Sequence, residues 1–447
     1  MSQVTKSKKR DLSAAFVEQY QTFSDKLNNG GSALQKVREK AINRFESVGL
    51  PANKNEEYKY TPITRMLEKH FDEGDSIASD DFIRPETEAL VQKHLLDVEA
   101  NHLVFVNGQY VENLSNIISP KDQLHVSPMG EAYEKYAQVV DKYFSTEASI
   151  DSDPFVALNT AYAQEGVFMH VPKGKVVEHP VIAYFFSDAG AQNVMTHSRN
   201  LFVVEENAQV KFAETFQTLG GEVSYNNAVT EIVVAKYANV HYYKYENESP
   251  KAIHTGTTQV KQHDNSYFHA VNIALQGAMI RNNLNITLDA EHCESHMYGL
   301  YMLNDKSHVD NHTVVDHQKP NSFSNELYKG IVDGKAKGVF NGKIYVRPDA
   351  QKTNAFQSNA NVLLSDDASV DTKPQLEIWA DDVKCSHGAT TGQIDQEQLF
   401  YLRTRGLSKV QARAVLLRAF AGDVIQHIGI EALREKIEVE ISERLEK

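Results

Sequence analysis

Cys385 and His387, in the run Cys385-Ser386-His387-Gly388, are the side chains whose type and spacing point most directly to metal chemistry. Residues two apart on a strand point the same way, so thiol and imidazole would face one side. Gly388 would let the backbone turn tightly behind them. Two soft or borderline donors of this kind, joined by ligands from elsewhere, could hold iron or zinc. The same residues also fit a buried cysteine beside a hydrogen-bonded histidine. A Cys–His nucleophile pair fits less well, because side chains two apart on a strand do not reach hydrogen-bond distance. A second region is rich in ligands: nine of the 18 histidines lie between His241 and His317. On a strand, His292, Glu294 and His296 would share one face and Cys293 the other, and His308 to His312 reads similarly. Neighbouring ligands would then stand ~7 Å apart, too far for one small ion without help, and a polar outer sheet face is the alternative.

Nucleotide chemistry has no support. There is no GxxxxGK[ST] and no GxGxxG between a strand and a helix, so any ATP must be bound by another subunit. The 447 residues carry 46 Lys plus Arg against 60 Asp plus Glu, a formal charge of −14 that argues against nucleic acid and anionic membranes as partners. The longest hydrophobic run, residues 181–186, is far short of the ~20 that span a bilayer. Residues 1–12 are polar and basic with no apolar segment behind them, and only two cysteines occur. The expectation is a cytoplasmic protein with no membrane span.

The elements that must position these residues fall into three parts. Phe16, Tyr20, Phe23 and Leu27 recur at the helix period; Gly30-Gly31 breaks it, and Ser32 caps a second helix through Phe45 that Gly49 and Pro51 end. Another helix is expected over residues 86–98. The pattern changes near 102, where Asn107-Gly108 signals a hairpin. Helices return over about 131–144 and 153–164. From Gly166 to about Gly392 only short alternating runs appear, such as Leu284, Ile286 and Leu288. No repeat of fixed length is visible, so periodicity leaves sandwich, barrel and irregular parallel β-helix open. Helices starting near Asp395 and Ser408, with Gly406 between, and a final one carrying Leu433, Ile437, Ile441 and Leu445, close the chain. The expected division is 1–100 helical, 101–394 β body with the helical interlude near 131–164, and 395–447 helical.

Leu376-Glu377-Ile378-Trp379-Ala380-Asp381-Asp382-Val383-Lys384 running into Cys385-Ser386-His387-Gly388-Ala389-Thr390 strongly resembles the signature of the SufB/SufD family of iron–sulfur cluster assembly proteins. The likeness continues through Leu399 to Leu407, and backwards through Tyr328-Lys329-Gly330, Phe340-Asn341-Gly342 and Ala350-Gln351-Lys352-Thr353. Glu56-Glu57-Tyr58-Lys59-Tyr60-Thr61-Pro62 looks like the opening segment of the SufD branch, usually written with Trp where Tyr58 stands. The resemblance implies a mainly β fold, a right-handed parallel β-helix with helical ends. It implies no catalysis of its own but a scaffold in a complex: a SufB-like subunit as partner in a heterodimer, a SufC-like ABC ATPase on the C-terminal helices, and a homodimer for the chain in isolation. It further implies that His387 faces SufB where the nascent cluster forms, with Cys385 beside it. The transient iron–sulfur cluster, or iron, would be shared with SufB. FAD is associated with the family, but no flavin motif is present. The competing readings are a β-helix enzyme acting on polysaccharide and a metal-dependent hydrolase using the region from His292 to His317.

Overall fold

A computed structural model describes residues 11–26, 32–52, 54–71, 84, 86–163 and 165–446. Its body is a β-solenoid of about eight turns, and strand outweighs helix, 41% to 27%. Each turn contributes one strand to a ten-stranded sheet and one to a nine-stranded sheet, so successive strands alternate between two walls. Within each wall the solenoid strands pair in parallel and in register. From Val181 onward partners lie as few as 26 residues apart, Ile253 with Met279, and as many as 32, Lys337 with Ser369. The corners absorb these differences, which is why no fixed repeat shows in the sequence. Several corners use a non-glycine residue in the left-handed region, among them Asn207, Asn265, Asp305 and Lys352.

Alternate side chains fill the space between the walls, where Phe185, Phe212, Phe216, Tyr242, Met297, Tyr328 and Phe340 form one continuous core. Both outer faces are covered as well. Leu417, Ala421, Val424, Leu433, Ile437 and Ile441 of the C-terminal helices pack on Tyr243, Tyr245, Ile273 and Leu300 of the ten-stranded sheet. Phe16, Phe45, Leu67 and Tyr162 pack on Met195, Tyr225, Ile253 and Met279 of the other. Strands such as Val194–Val204 are therefore buried at every position and show no alternation.

Three helical expectations change. Over 86–98 only Thr87–Gln92 is helical, because beyond it the Leu96 N–H donates to the Tyr184 hydroxyl and the Val98 carbonyl pairs with the His102 ring. Residues 131–144 form two helices, Met129–Lys135 and Ala137–Tyr143, since Tyr136 leaves helical backbone where its ring stacks on His125 and Phe168. The third helix is Pro154–Tyr162, capped by Asp153. Leu27, Gly30-Gly31 and Gln164 lie outside the described residues. Among the described residues no helix is long and apolar enough to cross a membrane.

Candidate functional site at the open end of the solenoid

The last rung of the ten-stranded wall is the strand Lys384–Gly392, and it pairs on one side only, with Asn354–Leu363. Parallel registry carries side-chain direction from rung to rung. Ala355 and Gln357 point into the solenoid, so their partners Cys385 and His387 do too. At the final turn nothing stacks beyond them, and His387 is exposed although it faces the interior side. Cys385 is half-buried and packs against the inner core near Val383 and Leu376; burial raises its thiol pKa. The imidazole is thus offered outward, while the thiol is a soft donor held largely in its protonated form. Gly388 sits mid-strand opposite Ser358, not in a turn, because the strand runs on to Gly392.

The same end exposes the edge strand Ser369–Ile378 of the second wall. Just beyond it Trp379 is 49% exposed, its ring stacked with Tyr345 at 6.3 Å and with the Arg347 guanidinium at 5.4 Å. Two adjacent strand edges therefore present unpaired backbone beside a solvent-facing imidazole.

The region from His292 to His317 is dispersed among unlike environments. His292 does not share a strand face with Glu294 and His296: it occupies a left-handed corner (φ 58°), leaving the strand to begin at Glu294. Cys293 points into the inner core and bonds backbone carbonyls, and burial pushes its thiol up to about 11. His296 is paired with Glu294 at 2.7 Å on the outer face. His308 and His312 belong to a buried network that the sequence did not reveal. Arg281, fully buried, donates to Asp310 at 2.5 Å and to the Glu57 carbonyl at 2.8 Å, and its guanidinium lies 4.7 Å from the Tyr58 ring centroid. Thr61 bonds Asp310 and His308, His312 pairs with Glu57 at 3.4 Å, and Lys343 pairs with Glu57 at 2.6 Å. Burial alone would raise the Asp310 carboxyl, but the charges of Arg281 and His312 hold it well below the usual range. The segment from Glu56 to Pro62 is thereby a tether that fastens the N-terminal helices to the nine-stranded wall. Among the described residues no group of three or more His, Cys, Asp or Glu is arranged to hold a metal ion.

Comparison with known proteins agrees over nearly the whole chain. Residues 185–420 match the family model described as SUF system FeS cluster assembly, SufBD core domain, and residues 10–182 match the SufBD protein N-terminal region. An iron–sulfur cluster assembly SufBD family protein of Synechocystis sp. is 30% identical, covering 91% of this chain and 90% of its own. The iron–sulfur cluster assembly protein SufD of Escherichia coli is 32% identical, covering 89% and 90%. That of Bacillus subtilis is 25% identical, covering 96% and 97%.

Proposed function

The chain belongs to the SufBD family of iron–sulfur cluster assembly proteins and is SufD-like, and on that premise we propose that it is the non-ATPase scaffold subunit of a cytoplasmic SufB–SufC–SufD complex. In this reading a SufB-like subunit pairs with the open end of the solenoid, a nascent cluster forms at their junction with His387 as a ligand, and the cluster then passes to apo-proteins. The observation that carries the reading is the exposed His387 imidazole on a terminal rung whose backbone edge is unpaired. A bare edge of nine to ten residues on each wall is a template for strand addition by another chain. One histidine and one half-buried cysteine make only part of a coordination sphere, so the remaining ligands would come from the partner.

The ligand choice suits a scaffold. Neutral imidazole in place of thiolate lowers the negative charge at the cluster and raises its potential, which favours release. ATP hydrolysis is assigned to a SufC-like subunit on the C-terminal helices, whose outward surface carries Phe400, Tyr401 and Val410, 67%, 56% and 53% exposed. The test is reconstitution of the complex with iron and sulfide. His387→Ala should leave subunit assembly and ATPase activity intact and abolish the visible cluster absorbance. Cys385→Ser should lose less, since that thiol is partly committed to packing. Normal cluster yield and transfer in His387→Ala would remove the residue from the mechanism.

A further inference from the structure

The inward column that ends at His387 continues behind it into the solenoid. His387 is the registered partner of Gln357, and Gln357 is the registered partner of Glu326. Registered neighbours in a parallel wall stand ~4.8 Å apart, so each side chain lies directly over the next. Gln357 is 3% exposed and Glu326 1%. The Gln357 Nε2 donates to Glu326 Oε2 at 2.8 Å, toward the interior. Its Oε1 is buried and accepts no hydrogen bond. A buried carboxamide oxygen without a donor is costly, and the next side chain along the column is an imidazole. The facing wall makes room for this amide: a Cβ on Gly342 would lie 2.1 Å from Gln357 Nε2. The position is therefore built for a glutamine carboxamide.

We propose that Gln357 is the positioning residue of the candidate site, its Oε1 accepting one ring N–H of His387 so that the other ring nitrogen is the one presented to iron, with Glu326 fixing the orientation of the amide from behind. This inference rests on the reading of His387 as a ligand. A histidine that ligates metal characteristically gives its second N–H to an acceptor, which sets tautomer and ring angle. Here the acceptor is neutral and is itself oriented by a carboxyl, so the ring is directed without a full negative charge beside the cluster. Burial pushes Glu326 up to about 7; Thr313 and Gln357 face it, and Tyr328 is its titratable neighbour.

The test separates the two claims. Histidine ring nitrogens are observed by NMR in the full-length isolated chain, labelled at histidine and held where imidazole is neutral, with His387 assigned by its loss in His387→Ala. The wild type should show one protonated and one bare ring nitrogen. Gln357→Met should collapse that difference toward the mixture of free imidazole, whereas Gln357→Glu, which keeps an acceptor, should retain it. Gly342→Ala displaces the amide from the opposite wall and should act like Gln357→Met if the latter does not fold. In the reconstituted complex Gln357→Met should weaken iron retention about 10- to 100-fold. An unchanged ring signal in Gln357→Met, or a collapse in Gln357→Glu as complete as in Gln357→Met, refutes the positioning role and leaves the ligand reading standing. Normal cluster yield in His387→Ala refutes the ligand reading whatever the ring signal does.

Discussion

Replacing Arg281 by methionine should release the N-terminal tether while leaving the solenoid folded. Arg281 is fully buried, donates to Asp310, the Glu57 carbonyl and Asn283, and lies over Tyr58. Methionine keeps much of the volume and removes the charge, so Asp310 stays buried with His312 and Thr61 as its remaining partners. Removing one member of a buried pair costs about 3–5 kcal/mol, mostly because the other charge is left uncompensated. Of the three bonds broken, the one to the Glu57 carbonyl joins the segment to the wall, while those to Asp310 and Asn283 lie within the wall. Thr61 of the segment also rests on Asp310, so opening the segment is what lets the stranded carboxylate reach water. The assay is native-state trypsin cleavage after Lys59, which requires the segment to open. If cleavage follows the open population, that cost raises its rate from roughly a hundredfold to several thousandfold. The double variant Arg281→Met with Asp310→Leu should recover roughly half of the free energy, because no charge is then left buried. A rise of less than tenfold in Arg281→Met, or a double variant opening faster than the single one, would refute this account of the tether.

Stability should fall as pH drops below about 6.5, in two stages. Burial pushes His308 and His317 down to about 4 and His197 down to about 3, so the unfolded chain binds protons below the ordinary histidine pKa while the folded chain does not. Glu57, hydrogen-bonded to His312 and beside Lys343, is held down to about 2; its contribution is complete above the ordinary carboxylate pKa and is lost as pH falls toward 2. Urea midpoints measured from pH 8 to 3 check both, and a flat profile between 6.5 and 4 contradicts the first. Phe400→Glu with Tyr401→Ser should abolish binding of a SufC-like ATPase in pull-down with unchanged circular dichroism, whereas retained binding places that contact elsewhere. Thr390→Pro, on the bare edge strand, should block pairing with a SufB-like subunit while only slightly lowering melting temperature, as read by gel filtration and thermal scanning.

The fold class was legible in the sequence because more than 200 residues lacked a helical period and because the run around Trp379 to Thr390 resembles a known family. The wall assignment was not: strands such as Val181–Ala189, buried on both faces, have no alternation to read, and corners of changing length erase any fixed repeat. Within the resembling stretches the structure separates roles that the letters do not. Lys352 occupies a left-handed corner, Gly342 leaves space for an amide, and the segment from Glu56 to Pro62 is a tether. Cys385 and His387 stood out because their side chains carry recognisable metal chemistry. Gln357 did not, since a glutamine on a strand gains meaning only from what lies one rung to either side. The Arg281–Asp310 network was equally hidden, because its partner Glu57 is 224 residues away along the chain.

The two ends of the solenoid differ in kind. At the N-terminal end each wall finishes in a short antiparallel strand, Gln109–Tyr110 on one and His125–Pro128 on the other, and short edges of this sort resist further pairing. At the other end both walls stop at full-length bare edges. In the vocabulary of polymer chemistry the chain is a monofunctional monomer, with one end that can couple and one that cannot. On the proposed pairing, coupling through the live end would consume it and leave a closed pair. A solenoid with two live ends would propagate into fibres; this one offers full-length edges at one end only.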